Sequence, residues 1–197
     1  MGDESIPRTY CHGTRDRGRS KRATQRGYSL LELLMTVTLA ALIAGLGLPS
    51  FGGLIADKRL RAEADALFHA VHLARKYSVV RRRVISLCPS EDLEYCTPGS
   101  DWSAGWILFE NIGRVGTEIR SPDETLLDAR RVDPAVSIDA NRRSFSFRST
   151  HLRATNGSLV ICDQKSRARS RAVVVSYTGR PRVAREGRNG RPYRCAR

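Results

Sequence analysis

The sequence predicts an α+β protein, one long N-terminal helix followed by an antiparallel β-sheet, and three observations carry that prediction. Leu33 to Leu48 contains no charged residue, and an apolar stripe at three- and four-residue spacing extends the helical pattern to Ser78. Seven short runs of β-branched and aromatic residues then follow one another as far as Tyr177, separated by turn-forming residues. Four of the five cysteines lie beyond the helix, an even set suited to two disulfides.

The helix comes first. Tyr28 to Ile55 is long enough, at about 1.5 Å per residue, to cross roughly 30 Å of hydrocarbon. Glu32 does not fit such a span, because a carboxylate costs about 2.5 to 3.5 kcal/mol near the centre of an inserted helix and less near its end. It reads as a residue kept for a positively charged partner on another chain. Residues 1–27 are polar and carry seven Lys/Arg against three Asp/Glu, which holds them in the cytoplasm and places the remainder outside. They end in the basic cluster Lys21 to Arg26, closing on Gly27. A secretory signal would carry its cleavage site after the apolar region, whereas Gly27 lies before it.

This arrangement, Arg26-Gly27 followed by Tyr28-Ser29-Leu30-Leu31-Glu32, resembles the type III leader of type IV pilins and pseudopilins. The resemblance implies that a prepilin peptidase cuts after Gly27, that the new N-terminal Tyr28 is N-methylated, and that Glu32 is the glutamate used in assembly with other pilin or pseudopilin subunits. It also implies a single-pass protein of the bacterial inner membrane, with its C-terminal domain in the periplasm, that later enters a pilus or pseudopilus. Tyr28 stands where the family usually has Phe.

Four segments are therefore expected: a leader at 1–27, a transmembrane helix at 28–55, a globular domain at 56–178 and an arginine-rich tail at 179–197. Gly45, Gly47 and Pro49 should loosen the helix near its outer end. It resumes with Leu60, Ala64, Leu67, Val71, Ala74 and Ser78 on one face and stops at Arg81-Arg82-Arg83. His69 and His72 share a helical face without a third ligand and read as surface residues. The strands are placed at 84–88, 105–110, 125–127, 135–139, 144–148, 159–162 and 172–177, and Asn156-Gly157 reads as a hairpin turn.

Cys11 falls in the leader, and the remaining Cys88, Cys96, Cys162 and Cys195 sit in an oxidising space. Three pairings are possible. Cys88 with Cys96 and Cys162 with Cys195 is favoured, because the first closes a short loop and the second ties the tail to a strand. On loop entropy they would contribute about 2.6 and about 3.8 kcal/mol.

Cys88-Pro89-Ser90, Cys96, Trp102 and Gly105-Trp106-Ile107-Leu108-Phe109, with the late strands at 159–162 and 173–177, resemble the domain shared by type II secretion H proteins and FimT. The fold implied is a bent N-terminal helix packed on antiparallel sheet.

Charge is concentrated at the C-terminus. The whole chain carries a net +14, and residues 165–197 hold eleven Lys/Arg against Glu186 alone. FimT proteins linked to DNA uptake resemble this chain in a Gly-Arg-x-Arg element after the last strand, here Gly179-Arg180-Pro181-Arg182. Gly179 allows the turn, and Pro181 fixes φ, so both guanidinium groups are held out from an extended backbone. Arginine forks donate paired hydrogen bonds to phosphate and hold double-stranded DNA without reading its sequence. Four such contacts imply roughly a hundredfold affinity loss between about 50 and 200 mM salt. Arg182, Arg185, Arg188, Arg191, Arg194 and Arg197 recur every third residue, which in a polyproline-II tail would line one side as a basic rail. Lys165, Arg167, Arg169 and Arg171 are candidates to extend it.

No nucleophile elbow, phosphate-cradling loop or metal-ligand cluster is present, which argues against an enzyme or a cofactor. The expected function is a FimT-like minor pilin or pseudopilin of a type IV pilus that binds DNA for natural transformation. The competing expectation is an H-type pseudopilin of a type II secretion system with protein partners only.

Overall fold

The computed structural model describes residues 27–112, 120–149 and 153–195, without the side chains of residues 46–50. The expected leader up to Arg26, Cys11 and Arg197 lie outside the described residues. The chain divides into two units, Met1–Ile43 and Ala44–Arg197.

In the first unit the described residues form the start of helix α1 (Leu30–Arg81). Ser29 caps it, its hydroxyl accepting the Glu32 N–H at 3.2 Å, so Ser29 and Glu32 stand at the spacing of a capping box. Glu32 lies in the first turn, where the helix dipole favours an acid. Leu30, Leu34, Leu39 and Ile43 are all exposed. The Thr36 and Thr38 hydroxyls donate back to carbonyls of the preceding turn, which satisfies both within the helix. Among the described residues no helix is long and apolar enough to cross a membrane. Part of the span expected at 28–55 falls on residues 46–50, and so do Gly47 and Pro49.

In the second unit α1 presents Ala56, Leu60, Ala64, Leu67, Val71, Ala74 and Ser78 as one buried stripe, the face read from the sequence. It packs on two four-stranded antiparallel sheets. Sheet 1 has the order β3-β2-β1-β5, from β1 (Val84–Pro89), β2 (Gly105–Asn111), β3 (Leu126–Arg131) and β5 (Phe145–Phe147). Sheet 2 has the order β4-β6-β7-β8, from β4 (Val136–Ala140), β6 (Gly157–Asp163), β7 (Arg171–Val175) and β8 (Pro181–Ala184).

Strands β1 and β2 read as continuous apolar runs because both faces are covered. Ile85, Leu87, Trp106 and Leu108 face the helix, while Cys88, Ile107 and Phe109 lie under Leu93 and Cys96. The Cys88–Cys96 disulfide holds that covering loop. Asp92 pins it further, accepting the backbone N–H groups of Tyr95 and Glu94, which hold its carboxyl below the usual carboxylate range. Trp102 is buried edge-on against Phe145 with ring centres 5.7 Å apart.

Several boundaries differ from expectation. β3 runs to Arg131, longer than the three residues expected, because an edge strand tolerates Asp128 and Arg130. Asn156-Gly157 is not a hairpin turn. Gly157 pairs with Val175 inside sheet 2, and a Cβ there would lie 2.5 Å from Asn141 Oδ1, so close packing is what demands glycine. His69 and His72 stand edge-on to Phe68 beside Lys76, Asp128 and Arg130 in an open groove. Among the described residues no three His, Cys, Asp or Glu side chains gather as metal ligands.

Candidate nucleic-acid interface

β7 leaves sheet 2 through a turn at Ser176 to Gly179 and returns as β8. Gly179 sits at φ +73°, and its N–H donates to the Ser176 carbonyl at 2.9 Å. A Cβ at Gly179 would stand 3.2 Å from both Ala154 Cβ and Phe147 Cδ1, so glycine is required by conformation and by space. The Ser176 hydroxyl accepts the Arg180 N–H at 3.0 Å and closes the turn. Pro181 then opens β8 as the first residue of an edge strand, where a missing N–H costs no ladder bond.

Here the structure corrects the expected polyproline-II rail. Residues 181–184 are a β-strand, with Arg182 opposite Val174 and Ala184 opposite Ala172. The physical reason is the open edge of β7, whose unpaired N–H and C=O groups take up the chain. Beyond Ala184 the segment folds back. Glu186 bridges Pro192, Gly187 N–H donates to the Arg191 carbonyl at 2.8 Å, and Ser170 Oγ donates to the Tyr193 carbonyl at 2.6 Å. The Cys162–Cys195 disulfide fastens the end to β6.

The candidate basic residues separate into groups. Arg180, Arg182, Arg185 and Arg188 are exposed, and among the described residues no ion pair or side-chain hydrogen bond occupies their guanidinium groups. Arg182 and Arg188 share a concavity of about 460 Å3 on the outer face of sheet 2, with Tyr177, Tyr193 and Asn141. Arg185 lies at the opposite end of β8, beside Arg169 and Glu186. Lys165 is exposed in the β6–β7 turn. Arg167 approaches Asp163 at 3.5 Å.

Arg171 does not belong with them. Its place at the start of β7 aims it inward, in register with Ile161, and Nη2 meets Asp57 Oδ1 of α1 at 2.6 Å. It is buried, and its hydrogen bond holds the Asp57 carboxyl below the usual carboxylate range. Burial and a fixed counter-charge remove Arg171 as a phosphate contact.

Four residues near the β7–β8 turn escaped the sequence reading. Arg153 lies over the Tyr177 ring at 5.0 Å, Arg142 Nε donates to the Asn156 carbonyl at 3.1 Å, and Arg148 stands with Arg153 beside Gly179. Tyr177 itself is 52 % exposed although it follows a core strand. An exposed aromatic next to an arginine-rich turn was the available signal.

The sequence model of the type II transport protein GspH matches residues 63–179, more than half of the 197-residue chain. The chain belongs to the GspH family. No curated protein sequence matches it. Among solved structures the chain is similar to the type IV minor pilin FimU of Pseudomonas aeruginosa, at 18% identity over 65% of this chain and 90% of that chain, with a TM-score of 0.48. It is also similar to the minor pseudopilin EpsH of the Vibrio cholerae type 2 secretion system, at 8% identity over 64% and 96%, with a TM-score of 0.47. The GspH match ends at Gly179, so Arg180, Arg182, Arg185 and Arg188 follow the matched region.

Proposed function

We propose that this GspH-family chain is a minor pilin or pseudopilin of a type IV pilus that binds double-stranded DNA without sequence preference, for uptake in natural transformation. The observation that carries the reading is the β7–β8 hairpin, which holds Arg180 and Arg182 in the open with no acidic neighbour paired to either among the described residues. Arg188 and the Arg148–Arg153 pair widen the same basic surface, and Arg185 with Arg169 and Lys165 supply a second cluster along β8. Such a surface recruits phosphate by counterion release, independently of sequence.

The front end supports placement in a filament. Gly27 and Tyr28 precede the helix, with Tyr28 82 % exposed, so the bond between them is open to a prepilin peptidase and the new amine to methylation. The exposed leucines of α1 need an apolar surround, the inner membrane before assembly and neighbouring subunits after it. Glu32 then meets a positive charge on one of those subunits. The alternative place, a type II secretion pseudopilus, is favoured by the description of the matched family alone.

The experiment is a gel shift of the full-length processed chain in detergent with random-sequence duplex, across a salt series. Binding that falls steeply with salt, and falls again in Arg180→Ala/Arg182→Ala, is expected. Absence of binding at low salt would favour the secretion role, and unchanged binding in the double variant would remove the site.

A further inference from the structure

The concavity shared by Arg182 and Arg188 is the wrong shape for a duplex. It measures about 460 Å3, room for one nucleotide-sized group, whereas a duplex keeps its bases paired and stacked inside the backbone and offers such a hollow only phosphates. Its lining is also richer than phosphate binding needs. Tyr177 and Tyr193 supply aromatic rings, and Asn141 and Asn156 supply carboxamides. Asn141 Oδ1 already accepts the Ser158 N–H at 2.9 Å, which leaves its NH2 group to donate. No hydrogen bond occupies the Asn156 carboxamide among the described residues. Arg153 covers one side of the Tyr177 ring, and Tyr177 is nonetheless an exposed residue.

Two guanidinium groups unpaired among the described residues, two rings and two amides within one hollow are complementary to a single nucleotide: phosphate, base face and base edge. Paired bases are stacked and offer no face to a side chain, whereas unstacked bases settle on aromatic platforms. We propose that this concavity seats one unstacked nucleotide, so that the protein holds single strands and frayed ends more tightly than paired DNA. The inference rests on the DNA-binding reading above and narrows its ligand. Arg182 and Arg188 hold the flanking phosphates, Tyr177 and Tyr193 stack the base, and the asparagines meet its edge.

The test measures fluorescence anisotropy of the full-length processed chain in detergent with two labelled probes, a twelve-residue oligo-dT and a blunt duplex of twelve base pairs. Oligo-dT should bind at least about tenfold more tightly, within the roughly 5- to 160-fold that one stacked base contributes. Tyr177→Ala/Tyr193→Ala should erase that preference and leave duplex affinity within about twofold, while Tyr177→Phe/Tyr193→Phe should keep it. Equal affinity for the two probes, or a preference that survives the alanine pair, overturns the proposal. A 2-aminopurine placed mid-strand provides a readout that needs no variant: its emission should change on binding to wild type, and unchanged emission overturns the proposal as well. Duplex binding without strand preference removes this inference alone, whereas loss of binding to both probes removes the DNA-binding function with it.

Discussion

Arg61, Arg81, Arg83, Arg130 and Arg171, on α1 and the strands around it, are held by carboxylates, whereas among the described residues the arginines of the β7–β8 hairpin are not. Arg81 and Arg83 both reach Glu110, at 2.9 and 3.0 Å, Arg130 reaches Glu63 at 3.4 Å, and Arg61 and Arg171 converge on Asp57. Each of those carboxylates is at least partly sheltered, so the pair is part of how the helix seats on the sheets. Arg180, Arg182 and Arg188 project from a strand edge and a return loop, with no carboxylate paired to them among the described residues. A surplus of arginine marks a binding surface only where the fold withholds counter-charges. Composition shows the surplus, and only geometry shows where it remains uncancelled.

The contrast can be broken at its tether first. Cys162→Ser/Cys195→Ser should cost about 4 kcal/mol on loop entropy, a drop of roughly 8 to 16 °C in Tm, measured by calorimetry against the same change at Cys88 and Cys96, where about 2.6 kcal/mol is expected. Removing a counter-charge comes next. Asp57→Asn leaves Arg171 buried without its partner and should cost roughly 3 kcal/mol by chemical denaturation. Because the folded Asp57 carboxyl titrates below its unfolded value, near 3.9, its contribution is complete above that pH and fades as pH falls through the lower folded value. Wild-type stability should therefore decline in that acid window more steeply than Asp57→Asn.

The unpaired group should behave in the opposite way. Arg180→Ala/Arg182→Ala should reduce duplex affinity about a hundredfold at 50 mM salt and flatten the salt slope by about 2, with Tm within about 1 °C of wild type. A large Tm loss would mean that these arginines serve the fold, and the distinction between the two regions would dissolve. The smallest effect belongs to Arg61→Ala, an exposed helical pair with Asp57, at about 0.5 kcal/mol.

Much of the fold was legible because its signals are local or periodic. The stripe from Leu60 to Ser78 repeats with the helix, and β1 and β2 announce themselves as apolar runs. The cysteine pairing followed from which loops were short or free. β8 was not legible, since Pro181 and Arg182 are poor strand formers and only the open edge of β7 makes them one. Arg171 was misread for a related reason. Lys165, Arg167, Arg169 and Arg171 read as one basic loop and strand start, but β7 begins at Arg171, and the strand turns that side chain inward to Asp57. The site suffered most, because Arg153 meets Tyr177, and Arg182 meets Arg188, across connections that no residue spacing reveals.

The fastening of the last residues has a mechanical consequence. An edge strand is ordinarily the part of a sheet most easily peeled away by a pull on whatever it carries. Here Cys195 is bonded to β6 beyond the return loop, and Gly179 is wedged against Phe147 of the other sheet at the opposite end. Tension applied at Arg182 or Arg188 is thus anchored on both sides of β8 and passes into the body of the domain.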